Sequence, residues 1–211
     1  MPNRLADSTS PYLRQHADNP VDWREWDDAA FDEARERDVP VLLSVGYATC
    51  HWCHVMAHES FEDETTASYM NEHFVNVKVD REERPDVDRI YMDAVQAISG
   101  RGGWPMTVFL TPEAEPMYAG TYYPRERMGH HPSFMEVLTA IEHTWRMNRS
   151  GVMDQARQIA EAIAQPHPVG TELPTTNQLD EAVSRLHTAF DPANGGFGGA
   201  PKFPQAPTLE F

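Results

Sequence analysis

The stretch Thr49-Cys50-His51-Trp52-Cys53-His54-Val55-Met56 contains the only two cysteines among 211 residues, and just two positions separate them. Four explanations compete for this spacing: a structural disulfide, half of a metal site, a reactive dithiol, or chance. A disulfide that closes so short a loop constrains the unfolded chain little, so stapling is a poor reason for the pair.

The residues on either side predict that the pair lies between a strand and a helix. Residues 40–45 (PVLLSV) are typical of a strand buried on both faces, and a helical pattern follows Cys53. At a helix N-terminus the free amide groups and the positive dipole end favour a thiolate. We therefore expect Cys50 to be the more exposed nucleophile and Cys53 to resolve a mixed disulfide by attacking Cys50. His51, if protonated, would stabilise the Cys50 thiolate further.

A zinc site and a structural role are the alternatives for the same residues. Cys50, His54 and His58 recur every four positions, which places them on one helical face, and zinc accepts thiolate and imidazole ligands. Cys53 points away from that face, and the chain has no second C-x-x-C. A structural role, with the cysteines as two small core residues at a helix start, is the other alternative, but C-x-x-C between a strand and a helix is a redox signal.

The rest of the pattern alternates helices with strands. A helix capped by Asp22 is predicted to carry Trp23, Trp26, Ala30 and Ala34 inward, because their spacing is close to helical. The further predicted elements are a helix that breaks near Asp63 and ends towards Phe74, a strand at 75–79, a helix from Pro85 to Gly100, strands at 106–110 and about 117–121, and helical segments from about 134 to 164.

This order, α-β-α-β-α-β-β-α, predicts an α/β fold, a three-layer α/β/α sandwich. Strands that alternate with helices imply a parallel core, and the final hairpin adds an antiparallel edge. The dithiol would lie at the C-terminal end of its strand, where open α/β sheets place their chemistry. We predict an α/β domain at 1–165, a proline-rich linker at 166–176 and the beginning of a helical domain at 177–211.

The charge of the chain is strongly acidic, with 33 acidic against 17 basic residues and a net charge of −16. Only Lys78 and Lys202 are lysines, and no basic run supplies the footprint that nucleic acid requires. Nucleic acid is therefore not expected as a partner. Adaptation to high salt, as in halophilic proteins, is one explanation of the acidic charge, because ions screen the repulsion within a charged surface.

The N-terminal residues and the hydropathy pattern bear on the compartment. The first twenty residues hold no apolar stretch like that of a signal peptide, and about 18 consecutive apolar residues occur nowhere. We expect a soluble, cytoplasmic protein without a membrane partner. Structural disulfides are rare in the cytosol, which again favours a reactive dithiol.

A proline at the start of a predicted strand is the second redox feature. In Gly102-Gly103-Trp104-Pro105-Met106, a cis bond before Pro105 would hold backbone near a site. A trans proline at the start of an edge strand is the commoner case for any X-Pro bond.

The dithiol, this proline and the strand order together resemble the thioredoxin superfamily. Long motifs spread over the chain narrow the resemblance to the DUF255 family of YyaL-type and spermatogenesis-associated protein 20-like proteins. These motifs are Ser10-Pro11-Tyr12-Leu13, His16-Ala17-Asp18-Asn19-Pro20-Val21-Asp22-Trp23, Cys50-His51-Trp52-Cys53-His54-Val55-Met56, Glu59-Ser60-Phe61, Val79-Asp80-Arg81-Glu82-Glu83-Arg84-Pro85-Asp86 and Gly102-Gly103-Trp104-Pro105.

The resemblance implies a thioredoxin-like domain followed by a helical domain similar to the (α/α)6 toroids of six-hairpin glycosidases and sugar epimerases. Residues 196–204 (GFGGAPKFP) look like the entry to that toroid, most of which would be missing, so a fragment is expected. By the same resemblance Cys50 and Cys53 are the dithiol and Pro105 is the cis proline that faces it. In the leading hypothesis Trp104 and Pro105 shape the edge where a substrate docks. Trp52 is a further candidate for the substrate groove, although an aromatic residue at a helix start usually packs against its own domain.

The sequence differs from ordinary thioredoxins at two positions near the dithiol. Ser44 replaces the buried acid six positions before the first cysteine, and Thr49 replaces a tryptophan. Proton transfer at Cys53 must then use His51, His54, Glu59 or water. Two interpretations are open for the charged turn at 80–84, a place near the site and simple surface charge, and surface charge is favoured.

The leading functional hypothesis is thiol–disulfide exchange with a protein or small-molecule thiol or disulfide, and it requires no cofactor and no metal. The second is a non-catalytic domain that supports a carbohydrate-active helical domain. The third is a zinc-binding domain.

Overall fold

The computed structural model describes residues 2–164, 173–199 and 202. The chain divides into two compact units, Met1–Gln165 and Pro166–Phe211. Most of the proposed linker at 166–176 lies outside the described residues, and the three-part domain division stays a prediction.

The first unit is built on a five-stranded mixed sheet with the order β1-β3-β2-β4-β5. Strands β1, β3 and β2 are parallel, whereas β4 is antiparallel to β2, and β5 is antiparallel to β4. The strands are β1 Trp23–Arg24, β2 Val41–Gly46, β3 Val75–Asp80, β4 Met106–Leu110 and β5 Pro116–Gly120.

Helices cover both faces of this sheet, and each face has its own hydrophobic cluster. The helices of the first unit are α1 Pro11–Arg14, α2 Asp28–Arg37, α3 His51–Met56, α4 Glu64–His73, α5 Pro85–Ser99, α6 Phe134–Met147 and α7 Arg149–Ile163, with a 3-10 turn at Arg4–Asp7 and a π-helical turn at Ala57–Phe61. Residues of α1, α3, α4 and α6 pack in one cluster, and residues of α2 and α5 pack in the other. The three-layer thioredoxin-like sandwich predicted from the sequence is confirmed.

Local capping signals fix several helix ends where the sequence places them. Pro85 opens α5, and Gly100 ends it with a φ of 77°, a left-handed conformation that suits glycine. The side chain of Asp63 caps α4 by accepting a hydrogen bond from the Thr66 amide, which explains the predicted break.

The predicted helix from Asp22 through Trp26 is wrong. Trp23 lies in β1, which pairs with β3, and α2 begins only at Asp28, where Asp27 caps it by accepting from the Ala30 amide. The spacing of Trp23 and Trp26 resembled a helix because both side chains turn inward, but they pack on opposite faces of the sheet. The first unit therefore has one strand more than the sequence pattern predicted.

Strand alternation sends a row of polar side chains to the face that carries α1 and α3. The valines of β2 and β3 occupy the other face. Ser44 lies opposite Lys78 and Gly46 opposite Asp80 in the register of the two strands. This polar row meets α1 and the turn before it, since Lys78 lies near the Tyr12 ring and Asp80 accepts a hydrogen bond from Ser10.

The second unit begins with α8, Thr176–Ala189, where Thr175 and Gln178 form a capping box. After it, the Asp191 carboxylate accepts hydrogen bonds from the Asn194 side chain and from Lys202. Most of the predicted toroid entry at 196–204 beyond Gly199 lies outside the described residues. Among the helices of the described segments, none has both the length and the apolar character needed to cross a membrane.

Candidate active site

Cys50 and Cys53 form a disulfide bond, with the two sulfur atoms 2.04 Å apart. Cys50 is the N-cap of α3, directly beyond the turn that follows β2, and its sulfur accepts a hydrogen bond from the Cys53 amide at 3.2 Å. Cys50 exposes 4% and Cys53 1% of its surface, so the expected nucleophile is only slightly more accessible than its partner. The pair lies at the position of the sheet that the sequence predicted.

Trp104 and Pro105 precede β4, the neighbour of β2 in the sheet, and the peptide bond between them is cis, as expected. The Trp104 indole nitrogen donates to the Asp88 carboxylate at 2.7 Å. The Arg81 guanidinium lies 3.9 Å from the Trp104 ring centroid and 3.5 Å from the Asp88 carboxylate. Arg81 also reaches Tyr47, so the turn at 80–84 is more than surface charge and belongs to this neighbourhood.

Trp52 lies between the cysteines in sequence and is half exposed. Its ring is 5.0 Å from that of Tyr122, whose hydroxyl donates to Glu59 at 2.6 Å. Burial and the bond to Glu59 raise the pKa of Tyr122 to about 12. Glu59, one of the proton-transfer candidates, is therefore engaged by Tyr122.

The histidines of the motif are spread around the helix. His51 is exposed and its ring is 5.6 Å from that of Trp52. His54 bonds the Ala48 carbonyl through Nε2 at 2.8 Å, and His58 pairs with Glu62. Within the described ranges 2–164, 173–199 and 202, no three His, Cys, Asp or Glu side chains gather as a metal site would require. The zinc hypothesis thus has no assembled ligand set there.

Tyr12 comes close to the buried sulfur of the pair across Gly46. A Cβ atom on Gly46 would lie 2.2 Å from the Tyr12 hydroxyl oxygen and 2.8 Å from Cys53 Sγ. Only glycine allows both groups to approach the end of β2 in this way. Tyr12 is fully buried, and burial, with the negative charge of Asp80, raises the pKa of its hydroxyl.

Lys78 lies on the same face of the sheet as Tyr12, and it is 1% exposed. Its ammonium group is 2.9 Å from the hydroxyl of Ser44 and 4.5–5.4 Å from the ring centroids of Phe61, Trp23 and Tyr12. Burial lowers the pKa of Lys78 to about 7. Ser44, the residue that stands for the missing acid, therefore accepts a hydrogen bond from a buried lysine.

His16 completes this buried cluster. Its Nδ1 lies 2.9 Å from the Asn19 side-chain oxygen, and its ring is 5.0 Å from the Tyr12 ring. Burial, together with the charge of Lys78, lowers the pKa of His16. His16 is thus a neutral ring beside Tyr12.

Sequence reasoning missed Tyr12, His16 and Lys78 as neighbours of the site, and it favoured simple surface charge for the turn that contains Arg81. Tyr12 and His16 stand in motifs that carried the family resemblance, and Lys78 is one of two lysines in a chain of 211 residues. Those were the available signals. The predicted site residues Cys50, Cys53, His51, Trp52, Trp104, Pro105, His54 and Glu59 are placed as described above, and their roles stay predictions.

The chain is similar to proteins of a known family over most of its length. The family model Thioredox_DsbH, described as a protein of unknown function, DUF255, matches residues 2–164. Human spermatogenesis-associated protein 20 is 45% identical over 100% of this chain and 28% of its own length. The Caenorhabditis elegans uncharacterized protein B0495.5 is 46% identical over 99% of this chain and 29% of its own length. The chain thus spans less than a third of these relatives.

Solved structures with similar folds share little sequence with the chain. DsbH Oxidoreductase has a TM-score of 0.43 at 14% identity and covers 61% of this chain and 86% of its own. A thioredoxin from Thermus thermophilus has a TM-score of 0.39 at 18% identity and covers 72% of this chain and 99% of its own. The fold rests on the strand order and the position of the dithiol described above, and the family on the match to residues 2–164. The chain belongs to the DUF255 family.

Proposed function

We propose that this domain catalyses thiol–disulfide exchange through Cys50 and Cys53. The observation that carries the proposal is a disulfide at the N-terminus of α3, with Cys50 as the capping residue. The amide groups and dipole of a helix N-terminus favour a thiolate there, which is the state that exchange requires.

The exchange follows from the arrangement of the two sulfur atoms. A substrate thiolate attacks Cys50 Sγ, the Cys50–Cys53 bond breaks, and its electron pair leaves on Cys53 Sγ. A mixed disulfide then joins the substrate to Cys50. In the reverse direction the Cys53 thiolate attacks Cys50 Sγ and releases the substrate thiolate, so Cys53 is the resolving residue.

Aromatic side chains would hold the substrate near Cys50. Trp52 exposes 52% of its surface, and Trp104 is half buried and fixed by Asp88 and Arg81. With Pro105 they supply apolar surface for a protein or small-molecule disulfide. His51, exposed beside Trp52, would favour the Cys50 thiolate when protonated.

Insulin reduction with dithiothreitol as electron donor tests the proposal in the chain of 211 residues. We expect the wild-type protein to accelerate reduction, Cys50→Ser to abolish the acceleration, and Cys53→Ser to accumulate mixed disulfides at Cys50. Serine keeps the N-cap, so Cys50→Ser should fold. Asp32→Asn on the exposed face of α2 is the control and should reduce insulin at the wild-type rate.

Equal rates for the wild-type protein and Cys50→Ser would overturn the proposal. That result would favour the non-catalytic domain that supports a helical partner domain. The midpoint reduction potential of the Cys50–Cys53 pair, measured by thiol alkylation in glutathione buffers, would show whether the domain acts as a reductant or as an oxidant. Known oxidoreductases cover roughly −270 to −120 mV.

A further inference from the structure

The structure assigns the Tyr12 hydroxyl as the hydrogen-bond donor that stabilises the Cys53 thiolate when the Cys50–Cys53 bond opens. This inference rests on the proposed function, since it concerns the leaving sulfur of that exchange. Ser44 at this end of the sheet is engaged as the acceptor of the Lys78 ammonium group, so the partner of the resolving sulfur is sought elsewhere.

The hydroxyl and the sulfur both border Gly46 at the end of β2. Both groups lie within 2.8 Å of the position that a Cβ atom on Gly46 would take, with Tyr12 Oη at 2.2 Å from it. Cys53 is 1% exposed and Tyr12 is fully buried, so water has little access to the sulfur atom. A thiolate formed there depends on donors supplied by the protein.

The hydroxyl is free to serve as that donor. Within the part of the chain that the structure describes, Tyr12 Oη has no hydrogen-bond partner. Leaving a buried hydroxyl unpaired costs free energy, and such groups need an explanation. A thiolate at Cys53 would give this hydroxyl a partner, because a thiolate is a strong acceptor, whereas a disulfide sulfur is a weak one.

The hydroxyl donates a hydrogen bond and keeps its proton. Burial raises the pKa of Tyr12, so the phenol stays protonated while the thiolate forms beside it. When a substrate thiolate attacks Cys50, the electron pair of the broken bond moves to Cys53 Sγ, which then accepts from Tyr12 Oη. The same bond favours deprotonation of a Cys53 thiol before it resolves the mixed disulfide.

Charged and titratable groups surround this pair. Lys78 lies 5.4 Å from the Tyr12 ring centroid, and the His16 ring lies 5.0 Å from it. Asp80 acts on Tyr12 by its negative charge, and His54 lies on the same helix as Cys53. The test therefore removes the hydroxyl alone and leaves every charged group in place.

The experiment measures the pKa of Cys53 by thiolate absorbance in a Cys50→Ser background, where Cys53 is the single thiol. Adding Tyr12→Phe should raise that pKa by about one unit, a tenfold loss of thiolate near neutral pH, because a charge-assisted hydrogen bond is lost. In the two-cysteine protein, Tyr12→Phe should slow the release of a thiol from a Cys50 mixed disulfide by about threefold, because the more basic thiolate is also the better nucleophile. Tyr91→Phe is the matched control, since that buried hydroxyl donates to the Ala114 carbonyl on the other face of the sheet.

Stability supplies an independent measurement. The oxidised Tyr12→Phe protein should unfold at the wild-type temperature or above it, because the hydroxyl has no partner to lose in that state. An unchanged Cys53 pKa with an unchanged release rate would overturn the inference while exchange by the wild-type protein still stands. If the wild-type protein does not accelerate insulin reduction, that result counts against the proposed function. The effect of Tyr12→Phe on the Cys53 pKa would still decide the role of Tyr12.

Discussion

The ammonium group of Lys78 is a charge buried in the sheet. Three aromatic rings at 4.5–5.4 Å and the hydroxyl of Ser44 stabilise it, and burial lowers its pKa to about 7. An unfolded lysine has a pKa of about 10.4, so between these values the unfolded chain binds the extra proton. The free energy of unfolding therefore rises with pH from about 7 to about 10 through this residue.

Lys78→Met should remove that dependence because methionine has a similar length and no charge. We expect the variant to be more stable than the wild-type protein by ~1–4 kcal/mol at pH 6, with the difference shrinking towards pH 10. Urea unfolding of the oxidised proteins across this range measures it. Ser44→Ala, which removes the acceptor of the ammonium group, should lower the folded pKa of Lys78 further and extend the pH dependence to lower pH. Identical pH profiles for Lys78→Met and wild type would rule out a lowered pKa.

The edge strand β1 is held to its neighbour helix by an ion pair. Arg24 is 5% exposed, and its Nε and Nη2 atoms each lie 2.6 Å from the Glu33 carboxylate on α2. Burial alone would raise the pKa of Glu33, but hydrogen bonds and charge from Arg24, with Arg37, hold it below its usual value. This pairing compensates for a strand of only two residues.

Glu33→Gln should destabilise the protein by ~2–4 kcal/mol near pH 7, because it leaves the buried Arg24 charge without its main partner. A lowered carboxyl pKa contributes stability above the unfolded value of about 4.3, and that contribution is lost as the pH falls through the folded pKa. The difference between the proteins should therefore narrow in acid. Asp32→Asn, which breaks an exposed pair with Arg35 on the same helix, should cost under ~0.5 kcal/mol. Denaturant unfolding at several pH values distinguishes the two variants, and equal losses would show that burial of Arg24 does not matter.

Elements with local signals could be predicted from the sequence, and β1 could not. Pro85 and Gly100 mark the ends of α5 by their own backbone preferences. Trp23 enters a strand because of distant partners: it lies opposite Asn76 in the sheet and packs against Phe61 at 5.0 Å. A two-residue strand has no period of its own, so helical spacing was misleading there.

The candidate site divides in the same way. Cys50 and Cys53 could be found because their chemistry lies in one motif between a strand and a helix. Tyr12 reaches Cys53 only because β2 ends in Gly46, and Lys78 reaches Ser44 only through the register of β2 and β3. Such neighbours are brought together by the tertiary fold, so no motif or regular spacing in the sequence indicates them.

The charge of the whole molecule is carried by an excess of carboxylates over arginines. The chain has 33 acidic and 17 basic residues. Many arginines pair with carboxylates, including Arg125 with Asp63 and Arg127 with Glu136. The unpaired excess repels itself at low ionic strength, which opposes the compact state.

Potassium chloride should therefore stabilise the protein. Raising KCl from about 0.05 M to 2 M shortens the Debye length from well over 10 Å to a few ångströms. Screening of the net charge of −16 should outweigh the weakening of exposed ion pairs, which contribute little each. We expect the unfolding temperature to rise by about 4–8 °C, the shift that corresponds to ~2 kcal/mol in a chain of this size.

Calorimetry or circular dichroism of the oxidised protein measures this shift. At about pH 5, where carboxylates begin to take up protons, the same KCl series should give a smaller rise, because less charge remains to be screened. Sucrose at matched osmolality controls for exclusion of solutes from the surface, which stabilises proteins whatever their charge. An unfolding temperature that stays constant or falls with KCl at pH 7 would contradict adaptation to high salt. A rise of equal size at both pH values would instead assign the stabilisation to a general salt effect on apolar burial.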